Sequence, residues 1–398
     1  MKPTPFHPRT SLLCDSYSWS EWSGWLSANT YAMDHTHEYI AIRTACAVFD
    51  TSPLYKYHIH GPDALRLMNR VVTQDVSHYA VGRCLYTPWC DDEGKIIDDG
   101  ILARLQEQLF RLTSADPTLF WLEDNAISLD VIIEDVTENL AVLALQGPFS
   151  RKLLKTLSEA DFDHLRYFSV IDTELAGIPV AVSRTGYTGD LGYEIWVEPH
   201  QAVQLWDVLF EAGEAYRLRP FGDYALDMAR IESGLLLAEA DFHSSKKVLH
   251  DFEKSSPLEL GLGWTVKLDK EFFVGQKALK REKETGSAWA TMGLEVDLKS
   301  LEAIYAEFGM PLYLPYQSWT EAVPIYSGGH QIGKATSGTW SPMLKKYIAM
   351  ARLLPHYAQP GTSLEMEVTI DAQRKRARAT VVKMPFFDPP RKTALARI

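Results

Sequence analysis

At 398 residues the chain exceeds what one hydrophobic core usually organises, so two or three packed domains are expected. With 46% hydrophobic, 11% aromatic and 23% charged residues it has the composition of a folded globular protein and excludes the disordered class. Forty Lys and Arg against 52 Asp and Glu leave a formal charge of −12, which argues against non-specific binding to nucleic acid or to an anionic membrane surface.

The N-terminal ten residues hold three prolines and no apolar run of a signal peptide, and no stretch of about 18 apolar residues occurs, so a cytoplasmic protein is expected. Cys14, Cys46, Cys84 and Cys90 form no C-x-x-C pair and read as buried thiols. His35 and His37 stand only two apart with no helical ligand pair, so no metal is expected. The segment Ser18 to Tyr31, with Trp19, Trp22 and Trp25, is rich enough in aromatic rings to stack a flat ligand, although core packing is the plainer use.

Glu38 to Val48 follows with helical spacing, and Gly61-Pro62-Asp63-Ala64-Leu65 reads as a helix start, because proline and acidic residues suit a first turn. Cys84 to Trp89, Ile96 to Leu105 and Leu109 to Thr113 read as an antiparallel meander turning at Asp91 to Gly94. With helices nearby this is an α+β region. Ala141 to Gln146 is an apolar strand, followed by helical spacing over Ser150 to Leu157. Val180 to Ser183 and Tyr193 to Val197 are strands bracketing a glycine-rich loop, and Ala202 to Ala212 and Tyr224 to Leu237 read as helices. After residue 286 short β-type runs such as Gln331 to Thr336 and Ser363 to Ile370 suit a C-terminal barrel or sandwich, giving a division into 1–285 and 286–398.

Chemistry concentrates in two places. In the strand Gly94 to Leu102, Asp98 and Asp99 interrupt an apolar run and must point to opposite faces, with Asp99 on the face of Ile97 and Ile101 and Asp98 on that of Ile96. Whichever face is buried holds a carboxylate with a raised pKa, either as a base or satisfied by backbone amides at a bulge. In Ser183 to Glu194, three glycines within seven residues permit positive φ and close ligand approach around Tyr187, while Glu194 opens the next strand. The loop lacks a phosphate-loop ending and precedes a strand, so it is either a plain hairpin loop or a carboxylate and ring placed for a flat heterocycle. Asp227 and Arg230, three apart on one helix, read as a structural ion pair.

These segments together resemble the aminomethyltransferase (T-protein) family. The resemblance runs through Tyr39 to Arg43, Phe49 to Ser52, Gly94 to Asp99, Leu145-Gln146-Gly147-Pro148, Arg184 to Glu194, Arg230 to Gly234, Gly261 to Trp264 and Thr336 to Pro342, in order along nearly the whole chain. It implies a three-domain cloverleaf around a central folate pocket, with a C-terminal β-barrel, tetrahydrofolate as cofactor and a one-carbon transferase activity. Asp99 matches the family's catalytic aspartate; Tyr86, Tyr167, Tyr187, Glu194 and Trp264 match positions at the folate.

The departures are specific. Leu226 stands where T-proteins carry an arginine at the folate, Ser52-Pro53-Leu54 replaces Ser-His-Met, and Ser114 holds the place of a family asparagine. The Tyr224-Ala225-Leu226 form is closer to the demethylase and dimethylglycine-dehydrogenase relatives, and the departures together argue against glycine cleavage proper. The expected donor is therefore a small N-, S- or O-methylated or aminomethyl compound, with a carrier or redox protein as partner. The alternatives are a non-catalytic folate-binding assembly protein and the folate subunit of an amine-oxidising complex; no flavin or nicotinamide fingerprint occurs. Arg374, Lys375, Arg376 and Arg378 are either a solvated strand face or a patch for the folate glutamate tail.

Overall fold

The computed structural model describes residues 1–396. Its strands form four sheets. Ser18–Trp22 and Trp25–Thr30 make an antiparallel hairpin, so the tryptophan-rich entry is a two-stranded ribbon. Trp22 stacks on Phe49, which stacks on Phe221, so this ring is used in packing.

The first larger sheet has five antiparallel strands in the order Arg83–Cys90, Ile96–Gln106, Leu109–Ser114, Tyr55–His60, Ile132–Asp135. Its outer face buries Tyr57, Trp89, Leu102, Phe110 and Leu112 with Leu67, Met68 and Val71 of the helix Ala64–Val71. The second sheet has six strands, ordered Val170–Leu175, Ile178–Ser183, Gly192–Val197, Ala141–Gln146, Cys46–Asp50, Leu218–Pro220, and only the last pair is parallel. Helices Ser150–Leu157 and Ala202–Gly213 cover its outer face through Leu153, Leu154, Leu205, Trp206 and Leu209. The inner faces of the two sheets meet through Cys84, Ala103 and Val170, with Ile101 and Ala181 alongside. Six strands between Ala290 and Val382 close a barrel around Leu294, Ile325, Met366 and Val381. The α+β class and the C-terminal β-barrel are both as expected.

Two helices are shorter than their patterns suggest. The spacing over Glu38 to Val48 divides into a helix, Thr36–Thr44, and a strand, Cys46–Asp50. The break is at Ala45, and the fully apolar Cys46-Ala47-Val48-Phe49 run pairs on both sides within the six-stranded sheet. A run buried on both faces carries no period to separate helix from strand. The helix expected over Tyr224 to Leu237 ends at Glu232, since Gly234 adopts φ +63 and turns the chain.

The C-terminal tail returns from the barrel to the second sheet. Phe386 and Phe387 donate their backbone N–H groups to Glu232 O, and Arg184 Nη2 donates to Lys392 O (3.0 Å) and Ala394 O (2.7 Å). Arg391 grips the buried Asp190 with Nε and Nη2 at 2.6 and 2.7 Å. Asp190 belongs to the glycine-rich loop, so the tail fastens that loop from outside. Arg391→Ala leaves the buried Asp190 carboxylate with the more distant Arg43, at 3.6 Å, as its remaining cation. It is expected to raise amide hydrogen exchange at Gly189 to Leu191, measured by mass spectrometry, with the barrel amides unchanged. Equal exchange in the two proteins would show that the tail does not hold the loop.

Candidate functional site

The strand Ile96–Gln106 carries both aspartates. Its partner Arg83–Cys90 pairs Trp89 with Asp98 but Cys90 with Ile96, so Ile97 is the extra residue of a β-bulge. The bulge alters the face assignment made from simple alternation. Ile97 packs with Trp89 and Leu102 in the outer core, whereas Ile96 packs with Tyr86 and Ile231 on the inner side. Asp98 and Asp99 do point apart, but Asp99 shares its face with Tyr86 and Ile101, and not with Ile97.

Asp98 is 1% exposed and accepts the amide of Asp99 on Oδ1 (2.8 Å) and that of Asp116 on Oδ2 (3.0 Å). Burial, then the neighbouring Asp99 charge, push its carboxyl well above the ordinary range, against the pull of those two amides. Its place is structural, tying the bulged strand to the turn after Ser114. Asp99 Oδ2 accepts the Tyr86 hydroxyl at 2.5 Å. Burial raises the Asp99 carboxyl to about 6 in spite of the Tyr86 hydrogen bond, so it changes charge just below neutral pH.

Tyr86 also stacks on Trp264, with ring centroids 6.0 Å apart, and the indole is 58% exposed, which makes it a rim group rather than a floor. Tyr187 donates its hydroxyl to Leu236 O and lies within the field of Asp99, which helps burial raise its phenol. Ser114 is buried and donates its hydroxyl to Asp116 O (2.7 Å), so only its lone pairs stay free.

Glu194 is carried by the opposite sheet. On the strand Gly192–Val197, Tyr193, Ile195 and Val197 enter the outer core, so Glu194 and Trp196 turn inward. Thr185 Oγ1 donates to Glu194 Oε2 at 2.6 Å, and Ser183 Oγ stands 3.4 Å from the same oxygen. Burial raises the Glu194 carboxyl, while Thr185, the charge of Arg111 and Ser183 oppose the rise. Tyr167 lies in the field of Glu194. Asp99 and Glu194 thus stand on the facing inner surfaces of two sheets, with Tyr86, Tyr167 and Tyr187 among them.

The three glycines of the loop serve the protein before any ligand. Only Gly189 has positive φ, and a Cβ there would lie 1.8 Å from Ser233 Oγ. At Gly186 and Gly192 a Cβ would collide with the Gln146 amide, at 2.2 and 2.1 Å. The basic strand near the C-terminus is a solvated face: Arg374, Lys375, Arg376 and Arg378 pair with Glu367, Glu307, Glu365 and Asp297. The Asp227–Arg230 pair is present at 3.0 Å, and Arg230 also meets Asp241 and Ser337.

Two further charged groups, Arg111 and Asp223, are withdrawn from solvent without any motif in the sequence to mark them. The Asp223 carboxyl is pushed up to about 7 by burial and then by the Asp227 charge. The run Gly222-Asp223 carried only a helix-start signal. Among the described residues no cluster of three or more His, Cys, Asp or Glu side chains is arranged to hold a metal, and no helix is long and apolar enough to cross a membrane.

Residues 16–270 match the family model described as the GCVT N-terminal domain, and residues 315–388 match the glycine cleavage T-protein C-terminal barrel domain. An aminomethyltransferase of Halothermothrix orenii is 35% identical over 371 residues, which span 92% of this chain and 95% of that protein. A trimethylamine-oxide aldolase of Ruegeria pomeroyi is 34% identical over 402 residues, covering 98% of this chain and 47% of its own length. The crystal structure of the glycine cleavage system aminomethyltransferase T from Bartonella henselae superposes with a TM-score of 0.82 at 22% identity, covering 97% of this chain and 98% of that one.

Proposed function

Since the chain belongs to the glycine cleavage T-protein family, the aminomethyltransferases, and is a transferase of one-carbon groups, we propose that it moves a methyl or methylene carbon from a small donor to tetrahydrofolate. The observation that carries this reading is the pair of half-buried acids on facing sheets: Asp99, whose carboxyl is raised to about 6, and Glu194, held by Thr185 with one oxygen left for a ligand. A reduced pterin offers an amino edge of N–H donors and a ring nitrogen, N5, that accepts the carbon. The donor set fits such a ring.

Glu194 would accept the amino-edge hydrogens, with Tyr167, Tyr187, Tyr86 and Ser114 around the ring and Trp264 at the rim. Asp99 would take the proton at N5 or stabilise positive charge there. Holding donor and acceptor in line adds up to about 7–11 kcal/mol in favourable cases. The region 1–285 would hold the folate, with the barrel region 286–398 closing over it.

Leu226 cannot supply the charge of the family arginine. That loss, and the match along almost this whole chain to part of a trimethylamine-oxide aldolase, favour N-methyl amines or amine oxides among the donors. A carrier or redox protein would then deliver or consume the carbon. Incubation with tetrahydrofolate and a panel of N-methyl, N-oxide, sulfonium, O-methyl and aminomethyl donors, read by mass spectrometry of the folate, is expected to yield methyl- or methylenetetrahydrofolate from at least one. Calorimetry showing no reduced-folate binding would overturn the reading.

A further inference from the structure

Arg111, on the strand Leu109–Ser114, is 4% exposed, and no carboxylate among the described residues is in ion-pair contact with it. A buried guanidinium without a direct partner carries a desolvation cost unless nearby charge offsets it. Its guanidinium carbon lies 3.7 Å from the centroid of the Trp196 ring. From there a continuous set of contacts leads to Glu194. Trp196 Nε1 donates to Ser183 Oγ (3.2 Å), Ser183 Oγ and Thr185 Oγ1 share a hydrogen at 2.7 Å, and Thr185 Oγ1 donates to Glu194 Oε2 (2.6 Å).

We infer that Arg111 is a positioning residue for folate: stacked behind the wall formed by Trp196, Ser183 and Thr185, its charge favours the carboxylate form of Glu194 and its aim at the pterin amino edge, without itself touching the ligand. This rests on the folate reading above. An ionised Glu194 accepts two N–H donors, whereas its acid form would place an O–H against one of them.

The groups around the pair leave this role to Arg111. Burial lowers its own pKa to about 10, so it is still a cation at neutral pH, with Glu194 and Asp172 as the anions in its field. Cys84 on the strand Arg83–Cys90 is pushed up to about 12 by burial and stays a neutral thiol, and Tyr167 is likewise raised to about 12. From the strand Tyr55–His60, burial lowers His58, and brings Lys56 down to about 7 while its Nζ is held by Ser52 O and Leu54 O. Arg83 acts on Cys84 and spends its Nη1 on Ser169.

The test is calorimetric affinity for 5-formyltetrahydrofolate between about pH 5.5 and 8.5, the window of a raised carboxylate. Arg111→Met and Arg111→Gln are compared with Arg111→Lys and wild type. Each is repeated in an Asp99→Asn background so that Asp99 does not titrate. With the charge gone, the Glu194 pKa rises. Both neutral variants are expected to bind nearly as wild type does at the alkaline end of the series and to lose up to about tenfold on the acid limb, which moves up by about one pH unit. Arg111→Lys should keep the wild-type limb. A loss equal at every pH would mean direct contact or packing and would overturn the inference, as would an unmoved limb; Gln keeps a planar polar group should Met not fold. If wild type itself binds no reduced folate, it is the folate reading that falls.

Discussion

Asp99→Asn is expected to slow single-turnover one-carbon transfer by about 10²- to 10⁴-fold while changing affinity for tetrahydrofolate only a few-fold. The amide has the size of the carboxylate and can still accept the Tyr86 hydroxyl that now reaches Oδ2, so the site keeps its shape. It carries no charge and cannot take a proton. The wild-type rate should rise as the pH passes about 6, where burial places the Asp99 carboxyl, and the variant should lose that limb. Stability moves in the opposite sense. The folded pKa lies above that of the unfolded chain, so the protonated form adds stability at acid pH, and this is lost as pH rises through about 6. Asp99→Asn should therefore resist urea better than wild type at pH 8. A rate loss smaller than about tenfold would remove Asp99 from the reacting centre.

How far this site could be read without coordinates depends on the range of each interaction. The opposition of Asp98 and Asp99 follows from strand periodicity, and it holds in the fold. Their neighbours do not follow, because a bulge at Ile97 is set by pairing with Trp89 and Cys90 and leaves no mark in the alternation. The Thr36–Thr44 helix and the Cys46–Asp50 strand merge into one apolar pattern for a similar reason: the strand is buried on both faces. Glycines at 186 and 192 suggested room for a ligand, yet the group they admit is the Gln146 amide, from a strand some 40 residues earlier. The motif match located Glu194 but gave no notice of Arg111, whose effect on it crosses from one sheet to the other. Local chemistry was legible, and contacts made across sheets were not.

The largest of those distant contacts is centred on Glu232, and Glu232→Leu is expected to destabilise the protein by about 3–5 kcal/mol, the cost of leaving a buried charge without its partner. Glu232 and Arg43 are both buried, and Arg43 Nη2 and Nε reach the carboxylate at 2.7 and 2.9 Å across 189 residues of sequence. The same carboxylate takes the hydroxyls of Tyr39 and Ser341, joining the Thr36–Thr44 helix to the barrel strand His330–Ser341. With Glu232 gone, the carboxylate left beside Arg43 is Asp190 at 3.6 Å, which Arg391 already holds. The double variant Arg43→Met with Glu232→Leu removes both charges and should recover a good part of the loss, as paired apolar replacements do. Equilibrium urea unfolding of wild type, both singles and the double measures this; a loss below about 1 kcal/mol in Glu232→Leu would place the pair among weakly contributing surface bridges. Arg43 Nη1 also donates to Thr188 O at 2.8 Å, so the freed arginine would release the loop that carries Tyr187. Folate affinity should therefore fall in the single variant even at temperatures where it stays folded, because the charge that joins three elements also holds the loop proposed to meet the pterin.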